Sequence, residues 1–116
     1  WIATNADGWM TYPRPINQQA QLIDDFRDRI ADAGVNDKPV MEPLYLDLAA
    51  DPNEPASPIH LGYRMGVNTL SDYLESRQAL GVNHVALNLR FNRADPEQSL
   101  RQVAETILPA FSRGAL

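Results

Sequence analysis

Cysteine is absent from the 116 residues, which excludes disulfides, thiolate metal sites and cysteine nucleophiles. Basic residues are scarce as well. Ten Lys and Arg stand against fifteen Asp and Glu, a formal net charge of -5. A chain with no basic excess cannot neutralise a long run of phosphates, so nucleic acid is not an expected partner. No apolar run approaches the roughly 20 residues that span a bilayer. No membrane partner is expected either, and the expected compartment is the cytoplasm. Histidine occurs only at positions 60 and 84, with no HExxH pattern, so no metal site is assigned. A GxSxG elbow is lacking, which leaves serine hydrolysis unsupported.

What is present is an ordinary globular balance of 44% hydrophobic and 22% charged residues, in a length that suits one domain or part of one. Three turn-rich joints punctuate it, at Tyr12–Pro15, Ala49–Pro58 and Asn92–Pro96. The middle joint, with Pro52, Pro55 and Pro58, is too dense in proline for a helix or a central strand. Between the joints, strand-like and helix-like stretches alternate. Gly8–Tyr12 reads as a short strand, and residues 17–33 as a helix with Leu22, Ile23, Phe26 and Ile30 on one stripe. Asn17 is its expected N-cap and Gly34 its left-handed terminator. Val40–Leu48 reads as a second strand, in which Pro43 implies a bulge or an edge. Residues 69–80 form the second expected helix, with Leu70, Tyr73 and Leu74 on one face. His84–Phe91 is the third strand. Asp95 and Pro96 then open a last helix, with Leu100, Val103, Ala104, Ile107 and Leu108 as its stripe. Trp1–Ala6 reads as the tail of an earlier helix.

Three βα units in series predict an α/β fold with parallel strands. Both a doubly wound sheet and a (β/α)8 barrel fit that order. Three strands alone leave two open edges, whereas a closed barrel takes eight strands and about 250 residues. The chain therefore reads as less than half of a barrel, or as a small layer that pairs with another copy. The open edges make a homo-oligomer the expected state.

Ligands of such folds gather at the carboxyl ends of the strands, and the candidate binding residues are chosen there. On the third strand, His84, Ala86, Asn88 and Arg90 share one face and Val85, Leu87, Leu89 and Phe91 the other. Asn88 and Arg90 fall at its carboxyl end. Arg90 needs a carboxylate, an anion or water. Either it pairs with Glu42 or Asp47, or it touches a ligand. Asp47 ends the second strand, where it can hold a hydroxyl or a cation, or cap the following loop. Tyr12 and Arg14 follow the first strand, with Arg14 held extended between two prolines. In Leu61–Gly66, two glycines flank Arg64 ahead of a helix start, a combination that suits an anion. An irregular connection explains the same glycines. No catalytic residue is assigned.

Several stretches resemble one family. Asn5-Ala6-Asp7-Gly8-Trp9-Met10-Thr11-Tyr12-Pro13-Arg14 is similar to a segment of the luciferase-like monooxygenases, the bacterial luciferase-type flavin-dependent oxidoreductases. Gly81–Arg90 and Ile107–Phe111 resemble the end of that barrel in one subgroup, and Leu61–Gly66 fits between them in order. The resemblance implies the sixth to eighth βα units of a TIM barrel, the C-terminal part of one domain. It implies reduced FMN, or a deazaflavin, as cofactor, with O2 and a small molecule as substrates. On this reading Ala49–Gly66 is the loop that closes over the flavin, and Tyr12, Arg14, Asp47, Arg64, Asn88 and Arg90 are the candidate cofactor contacts. The chain alone is expected to be inactive. The alternative from the residues themselves is a small non-catalytic α/β module that self-associates through its edges.

Overall fold

Val40–Leu48 is the longest extended stretch of the protein, and its side chains alternate. Val40, Glu42, Leu44, Leu46 and Leu48 are buried, while Met41, Pro43 and Tyr45 are half-buried. Successive side chains of a strand point to opposite faces, so one face of this strand is sealed and the other partly open. The computed structural model describes residues 1–111. Its elements in chain order are α1 (Ile2–Asn5), β1 (Trp9–Met10), α2 (Ile16–Ala33), β2 (Val40–Leu48), β3 (Ser57–Ile59), β4 (Gly62–Met65), α3 (Val67–Ala79), β5 (His84–Asn88), α4 (Pro96–Thr106) and α5 (Leu108–Phe111). β1 and β4 run parallel to β2, β3 runs antiparallel to β4, and β5 also pairs with β2. The protein is thus a mixed α/β fold with an open, mixed five-stranded sheet. Among the described residues, no helix is long and apolar enough to cross a membrane.

Two departures from the sequence reading have clear causes. Residues 49–66, expected as a connecting loop, contain the β3–β4 hairpin. Its two-residue turn places Leu61 at a φ of 55°, a left-handed conformation that hydrophobicity patterns do not reveal. Pro43, expected at a bulge or an edge, lies inside β2. Pairing with β1 ends where the Thr11 N–H donates to the Met41 carbonyl, and pairing with β4 starts where the Tyr45 N–H donates to the Leu61 carbonyl. Pro43 falls between those positions, where neither ladder requires an N–H.

Contacts group the chain into two compact units: Trp1–Leu44 with Leu74–Ala86, and Tyr45–Tyr73 with the residues from Leu87 on. The first unit is built on α2. Gln19, Ile23, Phe26 and Ile30 are its buried residues, while Leu22 is 38% exposed. Ile23, Phe26 and Ile30 pack with Ala3, Val40 and Val82, and Trp9, Leu80 and Val85 close against them. Burying each Ile or Phe of this set is worth about 1.5–3 kcal/mol. The Trp9 and Phe26 rings lie 5.0 Å apart at 45°. Gly34 ends α2 with a φ of 70°, as the sequence predicts, whereas Pro15 rather than Asn17 is the N-cap. Asn83 ties the turn before β5 to β2, its N–H donating to the Val40 carbonyl and its Oδ1 accepting from the Val40 N–H.

In the second unit, β2 and β4 pair with Tyr45 opposite Gly62 and Asp47 opposite Arg64. The proline-dense joint folds back on the start of α3. The Gly66 and Asn68 N–H groups donate to the Glu54 and Pro52 carbonyls, and the Thr69 hydroxyl donates to the Glu54 carbonyl at 2.8 Å. Helix α4 starts at Asp95 and Pro96 as expected, but its buried residues are Ser99 and Val103. Leu100 lies outward and Pro109, the expected stop, sits within α5. β5 ends at Asn88, earlier than the sequence predicts, because the Asn88 Oδ1 accepts from the Arg90 N–H at 2.9 Å and turns the chain.

Gly62 is the tightest point of the β2–β4 pair, since a Cβ there would lie 1.8 Å from the Tyr45 carbonyl oxygen. Gly62→Ala should therefore separate the two strands and lower stability by about 3 kcal/mol or more. Urea unfolding of the variant beside the parent chain measures this. An unchanged midpoint would show that β4 does not dock as described.

Candidate functional site

The two units each hold one buried carboxylate, and both lie on β2. In the first unit this is Glu42, 1% exposed, on the sealed face. Gln19 Nε2 donates to its Oε2 at 2.5 Å and to the Tyr12 carbonyl at 3.2 Å. Arg77, 5% exposed, brings Nε to 3.6 Å from the Glu42 Oε1, which accepts no hydrogen bond. The Arg77 Nη2 donates to the Arg14 carbonyl at 2.8 Å. Arg14 itself donates to the Thr11 hydroxyl, to the Gln19 Oε1 at 3.1 Å and to the Tyr12 carbonyl at 3.3 Å. Burial pushes the Glu42 carboxyl above its ordinary range, against the opposing pull of Arg77, the Gln19 hydrogen bond and Arg14. Two guanidiniums near one acid do not offset its loss of water. This cluster fixes the segment after β1 to α2 and β2.

In the second unit the carboxylate is Asp47, 2% exposed, at the carboxyl end of β2. It accepts three hydrogen bonds, from two residues. Its Oδ1 takes the Arg93 N–H at 3.0 Å, and its Oδ2 takes Arg93 Nε at 2.9 Å and Arg64 Nη1 at 3.1 Å. Burial raises this carboxyl too, but the Arg93 backbone and side-chain bonds and Arg64 outweigh it, and Asp47 ends below its ordinary range. The Leu48 N–H donates to Asn92 Oδ1 at 2.7 Å, and Asn92 Nδ2 donates to the Ser99 hydroxyl at 3.0 Å, so the chain around Arg93 is held on both sides.

Beside Asp47, Tyr45 carries an aromatic group. The Tyr45 and Phe91 rings lie 5.2 Å apart, Tyr45 and His60 6.2 Å, and His60 and Phe91 6.0 Å in an edge-on arrangement. The Arg90 guanidinium sits 5.4 Å from the Phe91 ring centre. Arg90, Phe91 and His60 are exposed and Tyr45 is half-buried.

Of the six residues chosen from the sequence, Asp47 and Arg64 come into direct contact. Arg90 meets neither Glu42 nor Asp47, because Arg77 ion-pairs with the first and Arg64 and Arg93 with the second. Asn88 is exposed and serves the turn at the end of β5. Tyr12 is 67% exposed and contributes only its carbonyl to the Glu42 cluster, and Arg14 is in that cluster's frame. At the helix N-terminus after Gly66, the Gly66 and Asn68 N–H groups are bonded to the Glu54 and Pro52 carbonyls. Arg93, Glu42, Arg77 and Gln19 were not candidates. For Arg93 the signal was present: it stands two residues past Phe91 in the turn-rich joint that follows a strand. Among the described residues, no three His, Cys, Asp or Glu side chains gather closely enough to hold a metal ion. No family model and no curated protein matches the sequence.

The two carboxylates set opposite responses to pH. A carboxyl raised in the folded state stabilises the fold below its ordinary value of 4.5 and loses that contribution as pH rises through the raised value. Glu42→Gln, which keeps the shape of the neutral acid, should therefore match the parent chain near pH 4 and exceed it at pH 7. Glu42→Ala leaves Arg77 buried beside a cavity and should cost about 3 kcal/mol. Asp47, lowered in the folded state, contributes above its ordinary 3.8 and loses it as pH falls below that value. Asp47→Asn should lose about 2–3 kcal/mol at pH 7, the scale of hydrogen bonds to a charged group, and should be less sensitive to acid below pH 4. Chemical denaturation at pH 3, 4 and 7 checks all three. A Glu42→Gln chain less stable than its parent at pH 7 contradicts the account of that site.

Proposed function

We propose that this chain is the C-terminal part of a flavin-dependent, luciferase-like oxidoreductase or monooxygenase, with β1, β2 and β5 as the sixth to eighth strands of a TIM barrel. The observation that carries the reading is the Asp47–Arg64–Arg93 group, placed at the carboxyl end of a strand on the partly open face of β2. Parallel βα folds use that position for ligands. Arg64 and Arg93 bond to Asp47 and Arg90 lies over the Phe91 ring, and these three guanidiniums would suit the phosphate of FMN or of a deazaflavin. When bound, the flavin would supply hydride transfer or O2 activation. The residues of this chain would orient its anionic end and keep water from one side of the site, with a small organic molecule as substrate. None of them is assigned as acid or base. Three strand ends form only part of a wall, so tight flavin binding belongs to a longer polypeptide, and this chain alone is expected to be inactive.

The reading of a self-associating α/β module keeps one observation in its favour. Trp1, Met10, Tyr12 and Ile16 of the first unit are large apolar side chains, half or more exposed, as they would be on a surface meant for cover. The length of the gene separates the two readings. A reading frame of about 250 codons or more supports the barrel, and one near 116 codons supports the module.

In the intact polypeptide, FMN titration should saturate at one per chain, and Arg90→Ala should weaken it by about 1.5–3 kcal/mol, the range for a charged hydrogen bond. Arg90 forms no ion pair among the described residues, so the melting temperature should not move. A fall in melting temperature with unchanged flavin affinity would make Arg90 structural, and no flavin binding at all would end the reading.

A further inference from the structure

Of the ten aspartates in the chain, only Asp7 stands before a glycine. Asp7 and Gly8 lie between α1 and β1 and belong to neither, with Asp7 exposed and Gly8 half-buried. The residues on either side are tied down. The Ala6 N–H donates to the Ile2 carbonyl at 3.1 Å, and the Trp9 N–H donates to the Pro39 carbonyl at 2.9 Å. Among the described residues, the Asp7 carboxylate and the Gly8 N–H take part in no hydrogen bond or ion pair. A carboxyl group and the amide nitrogen that follows it are therefore side by side and unengaged.

Every other aspartate lacks one half of that pair. Five lie inside α2 and α3, where the next N–H is engaged in a helical hydrogen bond. Asp51 and Asp95 precede Pro52 and Pro96, and proline has no N–H. Asp37 is held by Arg27 at 2.5 Å and by the Lys38 N–H at 2.9 Å. Asp47 is buried under three hydrogen bonds. The glycine at position 8 is itself a requirement of the fold. A Cβ there would lie 3.1 Å from the Pro39 carbonyl oxygen and 3.2 Å from its ring, so the segment docks on Pro39 most easily without a side chain. The residue that leaves its own nitrogen open to attack is the one this contact favours.

From this juxtaposition we infer that Asp7-Gly8 is a modification site, where the folded chain converts Asp7 to isoaspartate and becomes a substrate for enzymes that methylate isoaspartyl carboxylates. The Gly8 nitrogen attacks the Asp7 Cγ. An N–Cγ bond forms, the Cγ–OH bond breaks, and one water leaves with the amide proton, giving a cyclic imide. One water then reopens the ring. Opening at the side-chain carbonyl restores aspartate, and opening at the main-chain carbonyl routes the backbone through Cβ. Mass is unchanged, and water is the only co-reactant. The isomer carries one more main-chain atom between two anchored ends. Ala3 of α1 lies in the core with Ile23 and Val40, and the Trp9 ring is 5.0 Å from that of Phe26. The extra length loosens the tie between α1 and β1. The site lies within the first unit and rests on neither functional reading.

The test incubates the 116-residue chain in warm buffer for several weeks, beside a synthetic peptide of residues 5–12. Digestion with a protease that cuts before aspartate, read by mass spectrometry, should show a growing fraction resistant at Asp7 with its mass unchanged. That fraction should accept a methyl group from S-adenosylmethionine through an isoaspartyl methyltransferase. Its rate of formation should fall within about tenfold of the peptide's, because an unbonded exposed segment opens at almost no cost. Asp7→Glu keeps the charge but has to close a larger ring, and should lose both signals. Separated by chromatography, the isomer should unfold at a lower urea concentration than the parent chain. A folded chain that lags the peptide by more than tenfold, resistance spread equally over the aspartates of α2, or a signal that survives Asp7→Glu overturns the inference. An isomer with the parent's urea midpoint overturns its second half, the tie between α1 and β1.

Discussion

Hydrogen bonding to β2 is the constraint on which the sheet depends. β1, β4 and β5 all pair with it, and only β3 is attached elsewhere. Nine residues supply these partners because β1 needs only the first two and β4 the last four. That economy is what lets a proline occupy the interior of the strand. A removed N–H is costly where a ladder bond is due, and at Pro43 none is due. The same strand also fixes the opposite fates of its two acids. Glu42 and Asp47 are five residues apart, an odd separation, so they project to opposite faces.

The contrast between those acids shows that burial alone does not set a charge. Both carboxylates are nearly inaccessible. Asp47 sits at the strand end, where a backbone N–H and two guanidiniums reach it within 3.1 Å. Glu42 sits mid-strand, with one amide bond and an arginine no closer than 3.6 Å. Close, directed donors outweigh desolvation at the first and fail to do so at the second. Carboxylates at strand ends are the easier ones to keep ionised, because loops approach them from several directions.

Much of the fold was legible in the sequence wherever a local rule had one dominant cause. Gly34, Asp95 and Pro96 mark helix ends as their conformational preferences dictate. The positions of α2, α3 and α4 followed from their apolar spacing. The errors of phase share one origin. In α2 the buried stripe includes Gln19 and leaves Leu22 outside, and in α4 it includes Ser99 and leaves Leu100 outside. A polar side chain enters the interior when a specific partner awaits it, Glu42 for Gln19 and Asn92 for Ser99, and such partners are distant in sequence. The Asp47–Arg64 contact was half legible, since both residues were candidates for separate reasons. Their pairing depends on the parallel register of β2 and β4, which no local pattern encodes. Arg90 was expected to meet either a carboxylate or a ligand from the end of a third strand that was read three residues too long. The Asn88 turn redirects it to Phe91.

Pro58, at the centre of the three-residue strand β3, has a consequence for how this molecule behaves in a crowd. In its antiparallel pairing, Ser57 and Ile59 stand opposite Arg64 and Gly62, and Pro58 stands opposite Tyr63. A two-residue turn makes the flanking pair, Ile59 and Gly62, the hydrogen-bonded one. By alternation the backbone of Ser57 also faces β4, and that of Pro58 faces outward. The outward residue is therefore the one with no N–H to offer. A foreign strand arriving at this edge would find a single carbonyl and no donor, too little to template its addition. The rim of the sheet is closed to runaway stacking at this end without any covering element.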